Sequence, residues 1–494
     1  MFSPMRIGAA PALLLAGSLV AGCGDNGTGP AGASLRLLYG NDASDTVQTM
    51  LTQALVVEVR GENGGLASGT VVRFQSLPID SAHPYQPGVW LASLTSNSFS
   101  TFVADSTDSR GRASAVILLG TVTGTARMVV TAPEFGLEDT ARFRVLPGTA
   151  ARVVAQPKDT ALYATRSFQS RAAVTDRFGN PRSDPVSYSA PGSGLTVTST
   201  GSVTAGANLS RTFYLATAGA RTDTGWVSIV PQGTLAALQI YSYAGHGVGI
   251  AVFNLDGSGY AWLGPGGADY GADPSWAPDA TSLAFGRNVG GNWIYASDLA
   301  GNERLLLTPV TGLVGASWPH YSRDGAYLYF SGFATSVGNF ALWRAHADGT
   351  NPEQLYADPS GIAWRSSPSP DGTRLAFVNG SRSPSGIQVY TIASQTVSTW
   401  AVVGQTPRWS PVGDTIAFAT PYGGPISVVN ADGTGTRQVT PTGRGYDELS
   451  LAWSPDAAWL AARGPDGLEL INVATGATLP LAYSAPFVQP AWKP

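Results

Sequence analysis

The sequence predicts an all-β protein, a six-bladed β-propeller preceded by two β-sandwich domains in series. Three observations predict it. A Trp-Ser-Pro-Asp-Gly-like segment recurs through the C-terminal half at the spacing of propeller blades. Each recurrence is followed by two short apolar runs around a tight turn, often Asp-Gly, which is a strong hairpin signal. And 60 Gly and 34 Pro accompany a hydrophobic share of 43%. A disordered chain would be poor in apolar residues, whereas this mixture suits many short strands joined by tight turns.

The recurrence appears five times in full: PSWAPDATSLAF (Pro274–Phe285), PHYSRDGAYLYF (Pro319–Phe330), SSPSPDGTRLAF (Ser366–Phe377), PRWSPVGDTIAF (Pro407–Phe418) and LAWSPDAAWLAA (Leu451–Ala462). A truncated sixth copy, PAWKP, ends the chain. The aromatic position falls at Trp276, Tyr321, Pro368, Trp409, Trp453 and Trp492, so the intervals are 45, 47, 41, 44 and 39 residues. Each unit reads as four strands. The last copy lacks its later strands, and runs near Leu238–Tyr243, Ile250–Leu255 and Tyr260–Leu263 have no first strand. The tail is therefore expected to complete a blade begun near residue 238, which removes an open sheet edge. The pattern resembles the TolB-type, WD-like propeller repeat over about 258 residues, 237–494. The resemblance implies a fold; it does not name a ligand. Pro368 in place of the aromatic and Val412 in place of Asp are local departures from it.

Residues 34–232 also read as strands, such as Leu55–Arg60, Val71–Phe74 and Ala126–Ala132. Glu58 to Leu66, with Asp108-Ser-Arg-Gly-Arg-Ala further on, resembles the invasin-type bacterial immunoglobulin-like domain, interrupted near Ser76–Ser100. Ala173 to Pro181 and Gly201 to Ala205 repeat the scheme. Two immunoglobulin-like sandwiches are expected, at 34–147 and 148–232, with the propeller at 237–494 and the pair acting as a stalk.

At the N-terminus Arg6 precedes an apolar run from Ile7 to Val20, too short to span a bilayer comfortably and suited to a signal peptide. Val20-Ala21-Gly22-Cys23 resembles the bacterial lipobox, and Cys23 is the single cysteine. The resemblance implies cleavage after residue 22, acylation of Cys23, a polar tether over 23–33, and membrane attachment by two or three acyl chains. Gly24 rather than aspartate after the cysteine favours the outer membrane by the same resemblance. With one cysteine, no intrachain disulfide is possible.

A formal net charge of -4 gives no general pull towards nucleic acid. Asp279, Asp324, Asp371 and Asp456 share one repeat position, and Asp256, Asp348 and Asp432 another, which is the pattern of turn-capping. The four histidines, His83, His246, His320 and His346, are not at ligand spacing, and no metal or cofactor is expected. Gly-x-Ser-x-Gly elbows and phosphate-binding glycine loops are absent. The long connections should share one face of the disc. Their unrepeated residues Arg287, Phe333, Trp364, Arg365, Arg382, Tyr422, Tyr446 and Asp447 form the expected contact face. The leading expectation is a non-catalytic envelope module that binds a protein, peptide or glycan. A propeller-fold polysaccharide lyase or hydrolase is the alternative, with His320 and Arg323 as its only hints. An adhesin acting through the sandwiches is the third.

Overall fold

A computed structural model describes residues 32–96, 98–241, 243–264, 270–288, 291–307, 310–359, 361–380 and 385–494. The segment expected to be a signal peptide, Cys23 and Arg382 lie outside the described residues. The chain is all-β; among the described residues the helical content is one 3-10 turn, Pro133–Phe135, and no helix is long and apolar enough to cross a membrane.

The chain divides into two compact units, residues 1–151 with 175–183, and residues 152–174 with 184–494. In the first unit, strands alternate strictly between buried and outward positions, as in Leu55–Arg60 and Val71–Ser76. This period of two lets each strand supply one face to a shared core. One sheet orders Ser34–Tyr39, Leu55–Arg60, Arg112–Leu119 and Val89–Ala92; the other orders Ser44–Thr46, Leu137–Leu146, Gly124–Ala132, Val71–Ser76 and Phe102–Ser106. Val57, Phe74, Ile117, Val130 and Phe143 belong to one apolar cluster. The Asp176 turn belongs to this unit. Its carboxylate accepts the N–H groups of Gly148, Phe178 and Asn180, and the Asn180 amide donates to Thr121 O.

The second unit begins with a sheet ordering Asp159–Tyr163, Arg221–Val230, Ser210–Ala218 and Ser187–Ser189, beside a smaller one of Ser167–Gln169, Ser202–Ala205 and Leu195–Val197. Among the described residues, six antiparallel sheets then follow in chain order. The first holds Ala261–Trp262, Gly249–Asn254, Thr234–Gln239 and, from the chain's end, Phe487–Trp492. The tail strand pairs with Thr234–Gln239, Leu235 opposite Trp492 and Gln239 opposite Phe487. The remaining sheets start at Tyr270–Trp276, Leu313–Tyr321, Ala363–Pro368, Gln405–Trp409 and Leu451–Trp453. The innermost strand of each sheet packs on that of the next, and the tail strand touches both Leu451–Trp453 and Tyr270–Trp276, which closes a ring.

The first sheets of this unit are not a detached stalk. Ala161 and Val230 share an apolar cluster with Leu235, Phe253, Trp459, Leu479 and Phe487 of the ring. The Tyr163 hydroxyl donates to Gly233 O at 3.0 Å, and the Ser228 hydroxyl to Pro480 O at 2.7 Å.

Candidate functional site

The innermost strands carry a shared irregularity. Counting back three residues from the aromatic position gives Asp273, Trp318, Arg365, Thr406, Ser450 and Gln489. Asp273, Trp318, Arg365, Thr406 and Gln489 all have φ between 47° and 56°. A positive φ is uncommon for residues with a Cβ and carries strain. Pairing register shifts beside each of these residues, so the strands are bulged there. The backbone repeats while the side chains do not, so the six positions form a belt of unlike chemistry.

Much of that belt is bonded to itself. Asp273 N–H donates to Gln489 Oε1 at 3.1 Å, and Gln489 N–H to Ser450 Oγ at 2.9 Å. Arg365 donates from Nη1 to Thr406 Oγ1 at 3.1 Å and stacks over Trp318, 4.9 Å from the ring centroid. One bond of the belt spans the ring. Arg408, in the fifth sheet, donates from Nη2 to Asp273 Oδ1 at 3.2 Å in the second sheet, and from Nε to Leu451 O. Asp273 is 3% exposed, and its Oδ2 has no hydrogen-bond partner among the described residues.

A pocket of about 340 Å³ lies at the tight-turn end of the ring. Its lining includes the repeated position itself, Trp276, Tyr321, Pro368, Trp409, Trp453 and Trp492, with His320 and Arg408 one residue before that position. The Arg408–Asp273 pair crosses the ring three residues deeper on the second sheet's strand, so the pocket has a floor. Its walls are stitched between sheets: Trp276 Nε1 donates to Ala491 O and Trp453 Nε1 to Arg408 O, while Tyr321 N–H and Trp409 N–H donate to Ser275 Oγ and Ser367 Oγ. Arg323 reaches across to Pro411 O.

The ionisable side chains in the pocket lining are Arg323, Arg408, His320 and Tyr321, beside the terminal residue Pro494. Burial, then the Arg408 guanidinium, keeps the His320 pKa well below its ordinary value, so the imidazole is neutral. Burial pushes the Tyr321 phenol up to about 12. Burial also depresses Arg408; Asp273 opposes that shift and Arg365 adds to it. A guanidinium nonetheless stays charged in proteins.

The expected contact residues separate into groups. Phe333, Trp364 and Arg365 do meet: with Trp318 and Phe340 they form one aromatic cluster, centroids 5.4–6.4 Å apart, with Arg365 5.5 Å from the Trp364 centroid. Of the seven that are described, two are not surface groups. Arg365 is 7% exposed because its bulged backbone turns it into the ring, where Ser331 Oγ accepts its N–H. Tyr446 is 1% exposed because its hydroxyl folds under to the buried Glu469 carboxylate. Asp447 caps its own turn through Leu449 N–H and the Ser450 hydroxyl. Arg287 pairs with Glu303. Among the described residues of the set, Tyr422 alone stands fully out, 98% exposed. His320 and Arg323, the pair of hints for an enzyme, both line the pocket. Sequence reading missed Arg408 and Asp273. Aligned on the aromatic, the preceding column reads Ser275, His320, Ser367, Arg408, Ala452, Ala491, and that break in the repeat was the available signal.

No family model matches the chain. A TolB homologue of Chlorobium luteolum is 34% identical over 145 residues, 28% of this chain. The chain spans about a third, 32%, of the length of that curated relative. Among solved structures, TolB from Acinetobacter baumannii is similar with a TM-score of 0.44 and 17% identity, covering 63% of this chain and 83% of that one. An oligogalacturonate lyase in complex with manganese is similar with a TM-score of 0.34 and 14% identity, covering 51% and 72%. The stretch of sequence likeness, added to the closed run of antiparallel sheets, gives the C-terminal part of the chain a TolB-like β-propeller fold.

Proposed function

We propose that the chain is a non-catalytic binding module of the cell envelope, held at the outer membrane by acyl chains on Cys23. In this reading it comprises two immunoglobulin-like sandwiches and a six-bladed propeller, and the pocket at the tight-turn end receives a segment of a protein or peptide. The observation that carries the reading is a floored pocket whose walls are aromatic and proline side chains. Recognition of proline-rich or extended peptides uses such walls.

The chemistry of the lining argues for a peptide over a glycan. Much of its wall is aromatic and proline surface, and Ser369 and Ser410 already commit their hydroxyl protons to Asp371 and Val412 O. A sugar hydroxyl buried against those rings would give up a bond to water, at about 1–3 kcal/mol each. The same lining argues against catalysis. General acid–base work needs a group that titrates near the working pH. The neutral His320 and the high Tyr321 are poorly matched to it.

The test is capture from envelope extracts by the full chain, an Ala491→Phe variant that fills the pocket, and a Tyr422→Ala variant on the long-loop end. The larger side chain has precedent, since His320 and Arg408 occupy the equivalent place. Loss of a specific partner in Ala491→Phe with retention in Tyr422→Ala is expected. The reverse pattern would move the binding face to the loops and overturn this reading.

A further inference from the structure

The belt beneath the pocket holds more positive than negative charge. Arg408 is paired with Asp273 at 3.2 Å. Arg365 is 7% exposed and bonds to a hydroxyl, Thr406 Oγ1, and to two tryptophan faces. Among the described residues no carboxylate forms an ion pair with it. Its charge is felt by Arg408, whose protonated state it disfavours. His320 stays neutral beside them and adds nothing to the balance. Two guanidiniums thus face one carboxylate, and all three groups are largely buried. An isolated buried charge is costly unless something pairs with it, and an arginine does not relieve the cost by losing its proton.

We propose that the pocket floor receives a carboxylate, held by Arg408 with the Arg365 charge behind it. This rests on the pocket reading above and names the chemistry of the group that enters. A carboxylate supplies the single negative charge the belt lacks. A phosphate brings nearly two charges and three acceptor oxygens, more than the free donors here can satisfy. Asp273 Oδ2, buried without a donor, leaves an acceptor open in the same belt. A peptide group beside a terminal carboxylate carries the matching N–H. Its apolar side chain would lie against Trp276, Trp409 and Trp453.

The experiment uses the full chain and three tripeptide probes followed by saturation-transfer NMR: acetyl-Pro-Leu-Leu with a free carboxylate, the same peptide amidated, and amidated acetyl-Pro-Leu-Asp. The free acid is expected to bind at least about tenfold more tightly than its amide, the scale of one charge-assisted hydrogen bond. Binding of the aspartyl peptide would show that a side-chain carboxylate also enters; its failure to bind would assign the floor to a chain terminus. Asp273→Asn removes the competing negative charge while keeping an acceptor for Arg408, and its binding is read on the folded protein at a temperature below its own unfolding transition. It should tighten the acid several-fold and leave the amide unchanged. Arg365→Gln should weaken the acid alone. Equal binding of acid and amide, both lost in Ala491→Phe, would overturn the carboxylate and leave the pocket reading standing. Absence of all three probes from the wild-type chain would overturn both.

Discussion

Removing either partner of the Arg408–Asp273 pair would strand a charge inside the ring. Breaking such a buried pair typically costs about 3–5 kcal/mol, much of it the penalty on the partner left behind. Arg408→Met is therefore expected to lose about 3–5 kcal/mol in urea unfolding. Adding Asp273→Leu to it should recover a large part, because the double variant buries no unpaired charge. A double variant as unstable as the sum of the singles would mean the two side chains act independently, against their 3.2 Å contact. This pair also marks the limit of reading a repeat. Trp409 and Pro411 repeat and were legible, and their role as blade chemistry followed. Arg408 lies between Pro407 and Trp409 inside the fourth copy of the repeat, and its partner is 135 residues away. Nothing local pairs them; ring closure does. Tyr446 shows the same limit from the other side. Its loop was legible as a loop, but the buried Glu469 that draws its hydroxyl inward sits on the next hairpin.

The tight turns repay attention at the level of the element. Ser322, Ser369 and Ser454 each donate to an aspartate two residues on, at 2.5–2.6 Å, and accept the N–H five residues on. Asp324, Asp371 and Asp456 in turn accept the N–H two residues further. Asp256, Asp348 and Asp432 do likewise in the outer hairpins. The repeated aspartates thus have the turn-capping geometry that their shared position predicts. Where Val412 replaces the aspartate, Ser410 turns to the Val412 backbone instead, so the turn persists with one partner exchanged. These bonds favour the charged carboxylate. The Ser322 hydroxyl and then the Ala326 N–H lower the pKa of Asp324; the Ser369 hydroxyl does so for Asp371. Asp279, Asp348 and Asp432 are lowered by their own turn hydrogen bonds. A folded pKa below the unfolded one contributes stability that is present above the unfolded value, about 4, and lost as pH falls through the folded value. The urea midpoint should therefore hold from pH 7 to about 5 and drop below about 4. Asp371→Asn should flatten part of that acid slope while lowering the plateau. A slope unchanged by Asp371→Asn would remove this turn from the account.

The closure of the ring depends on eight residues brought back from the end of the chain. The strand Phe487–Trp492 fills the edge of Thr234–Gln239, which begins some 250 positions earlier. Its side chains and carbonyls serve three places at once. Phe487 and Trp492 join the cluster that also contains Ala161, Val230 and Trp459. Phe487 O accepts Arg463 Nη1 at 2.7 Å from the last sheet. Ala491 O accepts Trp276 Nε1 from the second sheet, and Gln489 Oε1 accepts Asp273 N–H in the belt. This arrangement was legible because the final copy of the repeat stopped where a first strand should end, while three strands near residue 240 lacked one. The join between ring and preceding sheet was not legible, since Ala161 and Val230 look like ordinary members of their own strands. Loss of the tail should therefore damage more than one edge. Deleting residues 487–494 is expected to lower the thermal midpoint by several degrees and to broaden the transition. A buried aromatic alone costs about 3–5 kcal/mol, and one kcal/mol shifts a chain of this size by about one degree. Phe487→Ala tests the same closure with the strand still present and should cost about 3–5 kcal/mol. Tryptophan fluorescence should shift red in the deletion as Trp276 loses its carbonyl partner and cover. An unchanged midpoint and spectrum in the deletion would mean that the ring stands without its last strand. The belt formed by Gln489 and Asp273 would then be dispensable too.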